Sequence, residues 1–475
     1  MRRLSDGAFT KSSRIPTPED LSLCAQRIFE DKSLLETGSS GQIAAKTKGV
    51  AIRYRLVFLL FLLSAVAYLD RTNISIAGVS IRSQFKIDNT ELGWLISAFL
   101  IGYATFQIPV GLLARRLGAR RALTTAVLLW AFFSALTALV PSGVRGSLPI
   151  LVVIRFSLGG AEAMLFPASS QFVERWFPEQ ERGRANGIIF AGVGTGSGLT
   201  PPLVTEIILH FGWRAAFWFS AMVEVVIATV WYRAARDAPE KYPLIPAAEL
   251  KLIQEGREEA NEIAAGRRTM PWARIFGSKE VLALTASYFA CGYVAWLFFG
   301  WFYIYLAQVR GLNLRTSAAY SMVPFIAMTV GCLCGGVLSD WITRRFNLRA
   351  GRCLLPAVAL ALTAAFLVMG SRSPQAGVAS ILLACGAACL YLSTNCYWAV
   401  AADISGEFAG VVSGVMNMGA QLGGAATASL TPLVASRYGW EMSFYVAALL
   451  SMMGALAWLL VDPKRRLFGR ATTGS

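Results

Sequence analysis

The chain has 475 residues, of which 55 % are hydrophobic and only 15 % charged, with a mean hydropathy of +0.52 and a net charge of +16. A soluble chain normally carries about 25 % charged residues, so the composition excludes a soluble globular protein and demands a membrane one. The basic excess does not imply nucleic acid, because its distribution is that of a topology signal. Arg71 and Arg155 lie deep in apolar spans, and Arg82, Lys86, Arg145, Arg214, Arg310, Arg315, Arg372 and Arg437 fall in one set of alternate loops. Most of the other Lys and Arg occupy the tails and the remaining loops. By the positive-inside rule this predicts a multi-pass protein of the cell (inner) membrane with both termini cytoplasmic.

Residues 1–53 are polar, basic and Ser-rich without a clear period, which predicts a disordered tail, with a weak helical signal around Glu19–Phe29. They do not form a secretory signal, since the following apolar run is too long and lacks a small-residue cleavage site. Twelve apolar spans follow, at 54–81, 91–113, 122–141, 149–172, 185–209, 215–233, 280–307, 317–338, 353–370, 376–400, 408–433 and 440–461. A bilayer crossing needs roughly 20 apolar residues, so each reads as a membrane helix. The charged loop 234–279 separates six spans from six. It predicts an N-terminal half at 54–233, a cytoplasmic linker, a C-terminal half at 280–462 and a tail at 463–475. Within the linker, the stretch from Glu249 to Glu259 has the pattern of a short amphipathic surface helix with intrahelical ion pairs.

The first span holds Asp70, Arg71 and Asn73. A charge near a bilayer's middle costs about 2.5–3.5 kcal/mol on insertion scales, so Asp70 and Arg71 must face a bundle interior or a watery cavity. Tyr103 and Gln107 share one face of the second span, one turn apart. The fourth span contains Arg155 and Glu162, seven residues and roughly 10 Å apart on one face. Gly159 and Gly160 between them permit close approach of another backbone, and Pro167 loosens the helix just beyond. Gly192, Gly194, Gly196 and Gly198 lie within the fifth span without a following Lys-Ser/Thr. They read as close helix packing and not as a phosphate loop. Glu224 in the sixth span reads as a packing or lipid-boundary position ahead of a second proton site.

Tyr288, Tyr293 and Trp301 in the seventh span offer a gate or aromatic wall. In the tenth and eleventh spans, Ser393, Thr394, Asn395, Asn417 and Gln421 offer hydrogen bonds to substrate hydroxyls, with interhelical glue as the alternative. The eight cysteines show neither a disulfide framework nor metal spacing, and the single histidine, His210, excludes a histidine metal site. No nucleophile–base pair marks an enzyme, and no cofactor is implied.

The charges state a mechanism. With both acids ionised, Asp70 and Glu162 balance Arg71 and Arg155. Protonating one acid leaves a net +1, which favours entry of a carboxylate, and arginine's fork matches a carboxylate bidentately. The alternative is two inert ion pairs that only hold the first and fourth helices together.

A repeat supports the two halves. Gly111, Arg115, Arg116, Gly118, Arg120 and Arg121 follow the second span, while Gly336, Asp340, Arg344 and Arg345 recur after the eighth. These loops resemble the cytoplasmic signature of the major facilitator superfamily, in which an acid and arginines pin neighbouring helices. The second copy keeps the acid as Asp340, whereas Arg115 stands at its place in the first.

Tyr-Leu-Asp-Arg-x-Asn in span one and Arg-Phe-x-Leu-Gly-x-x-Glu-Ala with Phe-Pro in span four carry the resemblance further. Together with Gly-Gly-x-Leu-Ser-Asp, they resemble the anion:cation symporter branch, which includes hexuronate, galactonate and glucarate permeases and is similar to mammalian sialic acid carriers. That resemblance implies a twelve-helix all-α fold, working as a monomer, that moves a small organic anion, a sugar acid, with a proton. It implies Arg71 as carboxylate ligand, Tyr103 as a substrate contact, Asp70 and Glu162 as proton acceptors with Arg155 tuning Glu162, and Asn417 as a contact from the second half. An organic phosphate or dicarboxylate exchanger and a non-transporting sensor of the same fold stand as alternatives.

Overall fold

The structure, a computed structural model, describes residues 51–467 apart from 145, 264–271 and 406–408. The tail, with its expected helix around Glu19–Phe29, lies outside the described residues, as does the side chain of Arg115. All described secondary structure is helical. Twelve long helices dominate: α1 (Ile52–Phe85), α2 (Asn89–Leu117), α3 (Ala119–Leu139), α4 (Ser147–Trp176), α5 (Glu179–Phe211), α6 (Trp213–Ala234), α7 (Lys279–Val309), α8 (Leu314–Arg345), α9 (Ala350–Arg372), α10 (Ala376–Ser405), α11 (Ala409–Tyr438) and α12 (Trp440–Leu460). Eleven of the twelve are long and apolar enough to cross a membrane by length and composition, and α11, with 30 residues, is comparable in length. The bundle is polar inside and apolar outside. Leu112, Phe132, Val153, Met222, Val337 and Leu449 are exposed, while Asp70, Arg71, Arg155, Glu162 and Glu224 are buried.

Packing repeats with a shift of six helices. α1 packs on α5 and α6, α2 on α4, and α3 on α4 and α6; likewise α7 packs on α11 and α12, α8 on α10, and α9 on α10 and α12. The two groups meet through α2 with α11 and α5 with α8, which is again one contact repeated. This is the two-half, twelve-helix fold that the apolar spans predict.

Local chemistry shapes the helices that carry the charges. In α4 the regular helix stops at Glu162 and resumes at Leu165. Pro167 has no N–H to give the carbonyl four residues back, so the ladder fails where Glu162 sits. α10 breaks at the matching place, between Leu392 and Thr394. α2 and α4 approach closely because a Cβ on Gly159 would strike the Phe99 carbonyl and one on Gly102 the Phe156 carbonyl. Gly192 and Gly196 serve the same purpose for α5 against α1, at the carbonyls of Phe61 and Ala65. That confirms close packing at the glycine run.

The two repeated loops are pinned differently. After α8, Asp340 pairs with Arg352 of α9 at 3.1 Å, and the Arg344 Nε donates to the Asp340 carbonyl. After α2, the missing acid is supplied from elsewhere. Asp237, just beyond α6, accepts from the Arg120 backbone N–H at 2.8 Å, and its carboxylate lies where a side chain on Gly118 would be. Gly118 has φ 78°, a left-handed conformation that suits glycine. Arg120 itself lies over Tyr232 at 4.2 Å and donates to its carbonyl. Within α2, the Gly111 carbonyl accepts from Gln171 of α4. A negative group at the first turn of α3 acts as an N-cap, so Asp237→Ala should cost about 1 kcal/mol. That loss is read as a lower Tm of the solubilised protein, and an unchanged Tm would contradict the capping role.

The expected linker helix is present at Ala247–Ile263, and Lys251 pairs with Glu255 at 3.6 Å. It is docked more firmly than an amphipathic surface helix requires. Glu249 is buried and accepts from the backbone N–H groups of Ile52 and Arg53 at 3.2 and 3.1 Å, capping α1, while Arg53 also pairs with Glu181 of α5.

Candidate functional site

The four predicted charges gather at one place in the first six helices. Asp70 and Arg71 are each 2 % exposed, Arg155 is 1 % and Glu162 is fully buried. The Arg71 Nε donates to the Glu162 carboxylate at 2.9 Å, a closer relation than mere proximity between α1 and α4 requires. The Nη2 of the same guanidinium, next to Nε, has no hydrogen-bond partner. Asp70 accepts from Ser134 of α3 at 3.1 Å. Arg155 does not contact Glu162 through a described hydrogen bond. It lies over the Phe99 ring at 5.0 Å, and its Nε and Nη1 are unpartnered.

Arg71 is enclosed by aromatic rings, with Tyr68 at 4.5 Å, Tyr103 at 4.9 Å and Phe99 at 5.6 Å from its guanidinium carbon. Rings hold a cation by their quadrupole while leaving the N–H edges free to donate. The enclosure continues into the second six helices. Trp296 of α7 lies 6.2 Å from Phe99, and Phe299 lies 5.5 Å from Tyr68 and 5.1 Å from Phe325 of α8. Tyr288 of α7 and Tyr391 of α10 are within electrostatic reach of Tyr68. Of these, Tyr68, Phe99, Trp296, Phe299 and Tyr391 are not singled out by sequence reasoning. For two of them a signal exists: Tyr68 is three residues before Arg71 and Phe99 four before Tyr103, so each shares a helix face with a predicted site residue.

From α7, Trp296 and Phe299 join this aromatic enclosure beside the expected Tyr288. The regular helix of α7 ends at Trp296 and gives way to widened π-type turns at Leu297–Trp301 and Tyr305–Val309. Single-turn π segments are frequent at functional sites. Trp301 packs on Trp440, and Tyr293 is buried with its hydroxyl unpartnered.

The polar residues of the second half divide. Asn395 donates to the Cys332 carbonyl at 2.6 Å and Tyr397 pairs with Ser287 at 2.7 Å, so these tie helices together. Thr394 sits half-buried at the α10 break, and Asn417 is half-buried on α11. Gln421 is buried on the Asn417 face, and its Oε1, like that of Gln107 on α2, is unpartnered. Among the described residues, none of Thr394, Asn417 and Gln421 hydrogen-bonds to the α1 or α4 charges.

Hydrogen bonds that join the two groups fall towards the end of the bundle where α1 ends. Ser75 donates to the Gly300 carbonyl at 2.7 Å, Ser97 to the Ala425 carbonyl at 2.8 Å, and Thr205 meets Tyr303 at 3.3 Å. Arg315 of α8 grips Glu206 of α5 through two bonds of 2.8 and 3.1 Å.

A bundle of two repeated six-helix groups, with an arginine–carboxylate pair buried beside their junction, is a multi-pass membrane transporter. The chain belongs to the Major Facilitator Superfamily, whose family model matches residues 60–428. It is 32 % identical over 416 residues to a "Probable sulfoacetate transporter" of Cupriavidus necator, covering 87 % of this chain and 95 % of that one. It is 27 % identical over 407 residues to a hexuronate transporter of Bacillus subtilis, covering 85 % and 93 % respectively. A "Probable L-galactonate transporter" of Escherichia coli is 23 % identical over 442 residues, or 90 % and 94 % of the two chains. Among solved structures, an inward-facing bacterial homologue of the lysosomal transporter Spinster superposes with a TM-score of 0.70 at 16 % identity, over 90 % of this chain and 100 % of that one. The D-xylose–proton symporter gives 0.68 at 15 % identity, over 86 % and 98 %. These two likenesses concern the fold.

Proposed function

We propose that this protein is a proton-coupled symporter, not an enzyme, that carries a small organic anion, a sugar acid, across the cell membrane as a monomer with both termini in the cytoplasm. The observation that carries the proposal is the buried Arg71–Glu162 ion pair, whose guanidinium keeps an unpartnered Nη2 inside an aromatic enclosure. In this reading the substrate carboxylate takes the unpartnered Nη2 of Arg71, and Tyr103, Gln107, Thr394, Asn417 and Gln421 contact the rest of it. Protonation of Glu162 releases Arg71 from its internal partner and leaves the positive charge that the anion satisfies. The segments 54–233 and 280–462 are the halves that rock about the site, joined by the 234–279 linker.

With the N-terminus cytoplasmic, the bonded end of the bundle is the external one. Breaking the exposed Glu206–Arg315 pair by Glu206→Gln should then favour external opening by ~0.2–1 kcal/mol, a shift of up to about fivefold. A cysteine placed at Ser97 should react faster with an impermeant maleimide in that variant, and an unaltered rate would remove the pair from gating.

The relatives' substrates support the substrate class. Sulfoacetate, hexuronate and L-galactonate are all small organic anions. The sulfoacetate relative also favours a second reading, a short sulfonate-bearing acid, since a sulfonate offers Arg71 the same oxygen edge. A phosphate exchanger is disfavoured, because the buried mid-span arginines Arg71 and Arg155 both belong to the first six helices. The test is uptake into proteoliposomes across hexuronates, aldonates, aldarates, sulfoacetate, dicarboxylates and organic phosphates, with and without a pH gradient. Uptake of an organic acid enhanced by an inward proton gradient is expected. Exchange of organic phosphates alone, or no uptake at all, would sink the proposal.

A further inference from the structure

A fifth ionisable group is buried with the four charges. Glu224 is completely buried, and so are Ala216, Phe217 and Ser220 on the same face of α6, so the lipid-boundary reading of this residue is incorrect. One turn before it, Ser220 accepts from Asn73 of α1 at 3.4 Å. Asp70 stands one turn before Asn73 on α1 and Glu224 one turn after Ser220 on the antiparallel α6, so the Asn73–Ser220 bond sets the two buried carboxyls at one level of the α1–α6 contact, with Glu162 of α4 in electrostatic range. Asp70 uses one oxygen to accept from Ser134, but its other oxygen and both oxygens of Glu224 have no partner. On α3, which packs on α6, the Trp130 indole N–H is also fully buried and unpartnered. Arg155 of α4 is a cation within electrostatic reach of Asp70, and Arg71 follows Asp70 on α1.

Two ionised carboxylates are acceptors only, so side by side and away from water they repel and neither satisfies the other. One shared proton converts that repulsion into a hydrogen bond. We propose that Asp70 and Glu224 form a carboxyl pair that takes up and releases one proton between them in each transport cycle, as a proton site separate from Glu162. The inference rests on the proton-coupled reading above. It also completes the charge count. With the pair empty, three acids outweigh Arg71 and Arg155 and the group carries −1, which repels an anion. With the pair holding one proton the group is neutral, and protonating Glu162 then gives the +1 that admits the substrate. Loading of the pair therefore precedes substrate entry.

The test is the number of protons moved per substrate, from reversal potentials in proteoliposomes containing the full chain and an organic acid that the wild type carries. Glu224→Gln should move one proton fewer per substrate than wild type, and an unchanged stoichiometry would overturn the pair. Infrared difference spectra of the solubilised protein between acidic and alkaline pH give a readout that needs no transport. A protonated-carboxyl stretch lost in both Glu224→Gln and Asp70→Asn is expected. Its persistence in Glu224→Gln, or its displacement by sodium at constant pH, would overturn the assignment. A wild type that shows this band but takes up no organic anion would contradict the transport reading and not the pair.

Discussion

Arg71→Lys should nearly abolish uptake although the charge is kept. The guanidinium does two things at once, donating through Nε to Glu162 while presenting an unpartnered Nη2. A lysine ammonium is a point charge without that planar fork, and it cannot hold both partners in fixed directions. A hydrogen bond to a charged group contributes about 1.5–3 kcal/mol, so losing the substrate arm alone weakens binding by roughly 10- to 150-fold. Substrate affinity in the purified variant, together with initial uptake rates, checks this. Near-normal affinity and uptake would remove Arg71 from the binding site.

Glu162→Gln should separate binding from coupling. The amide is neutral at every pH, so it stands in for the protonated acid and leaves Arg71 permanently available. Exchange between preloaded vesicles is expected to persist and to lose its dependence on Glu162's proton. Accumulation is expected to fall, because one transported proton contributes 1.36 kcal/mol, or about tenfold in accumulation, per unit of pH gradient. Should Glu162→Gln still accumulate substrate to the wild-type ratio, coupling would rest on the Asp70–Glu224 pair alone.

The two predictions rest on residues that were readable in the chain, because charge inside an apolar span is costly and needs a reason. Asp70, Arg71, Arg155 and Glu162 announce themselves in this way, and the structure gathers them. The break in α4 was legible from Pro167 and the α2–α4 contact from Gly159. Glu224 breaks the same rule in the sixth span, but a single charge there does not say which face of the helix it occupies, and that face decides its meaning. Asp237 and Glu249 could not be read at all as helix caps. Each acts on a helix start more than a hundred residues away in sequence, at Arg120 and Ile52, and only tertiary contact reveals it. The aromatic enclosure was half visible, since Tyr68 and Phe99 follow from helical spacing on their own helices. Trp296 and Phe299 come from the other six helices, and among many aromatics in apolar spans nothing local distinguishes them.

The proposed joint entry of organic anion and proton depends on the Arg71–Glu162 pair. It is tested most directly by adding substrate to wild-type proteoliposomes in weak buffer, with no imposed gradient and no sodium, and following external pH. Alkalinisation is expected to begin with substrate addition, to end when a protonophore is present and to shrink in Glu162→Gln. Substrate entry with no proton movement, or entry that requires sodium and leaves the pH unchanged, would contradict it.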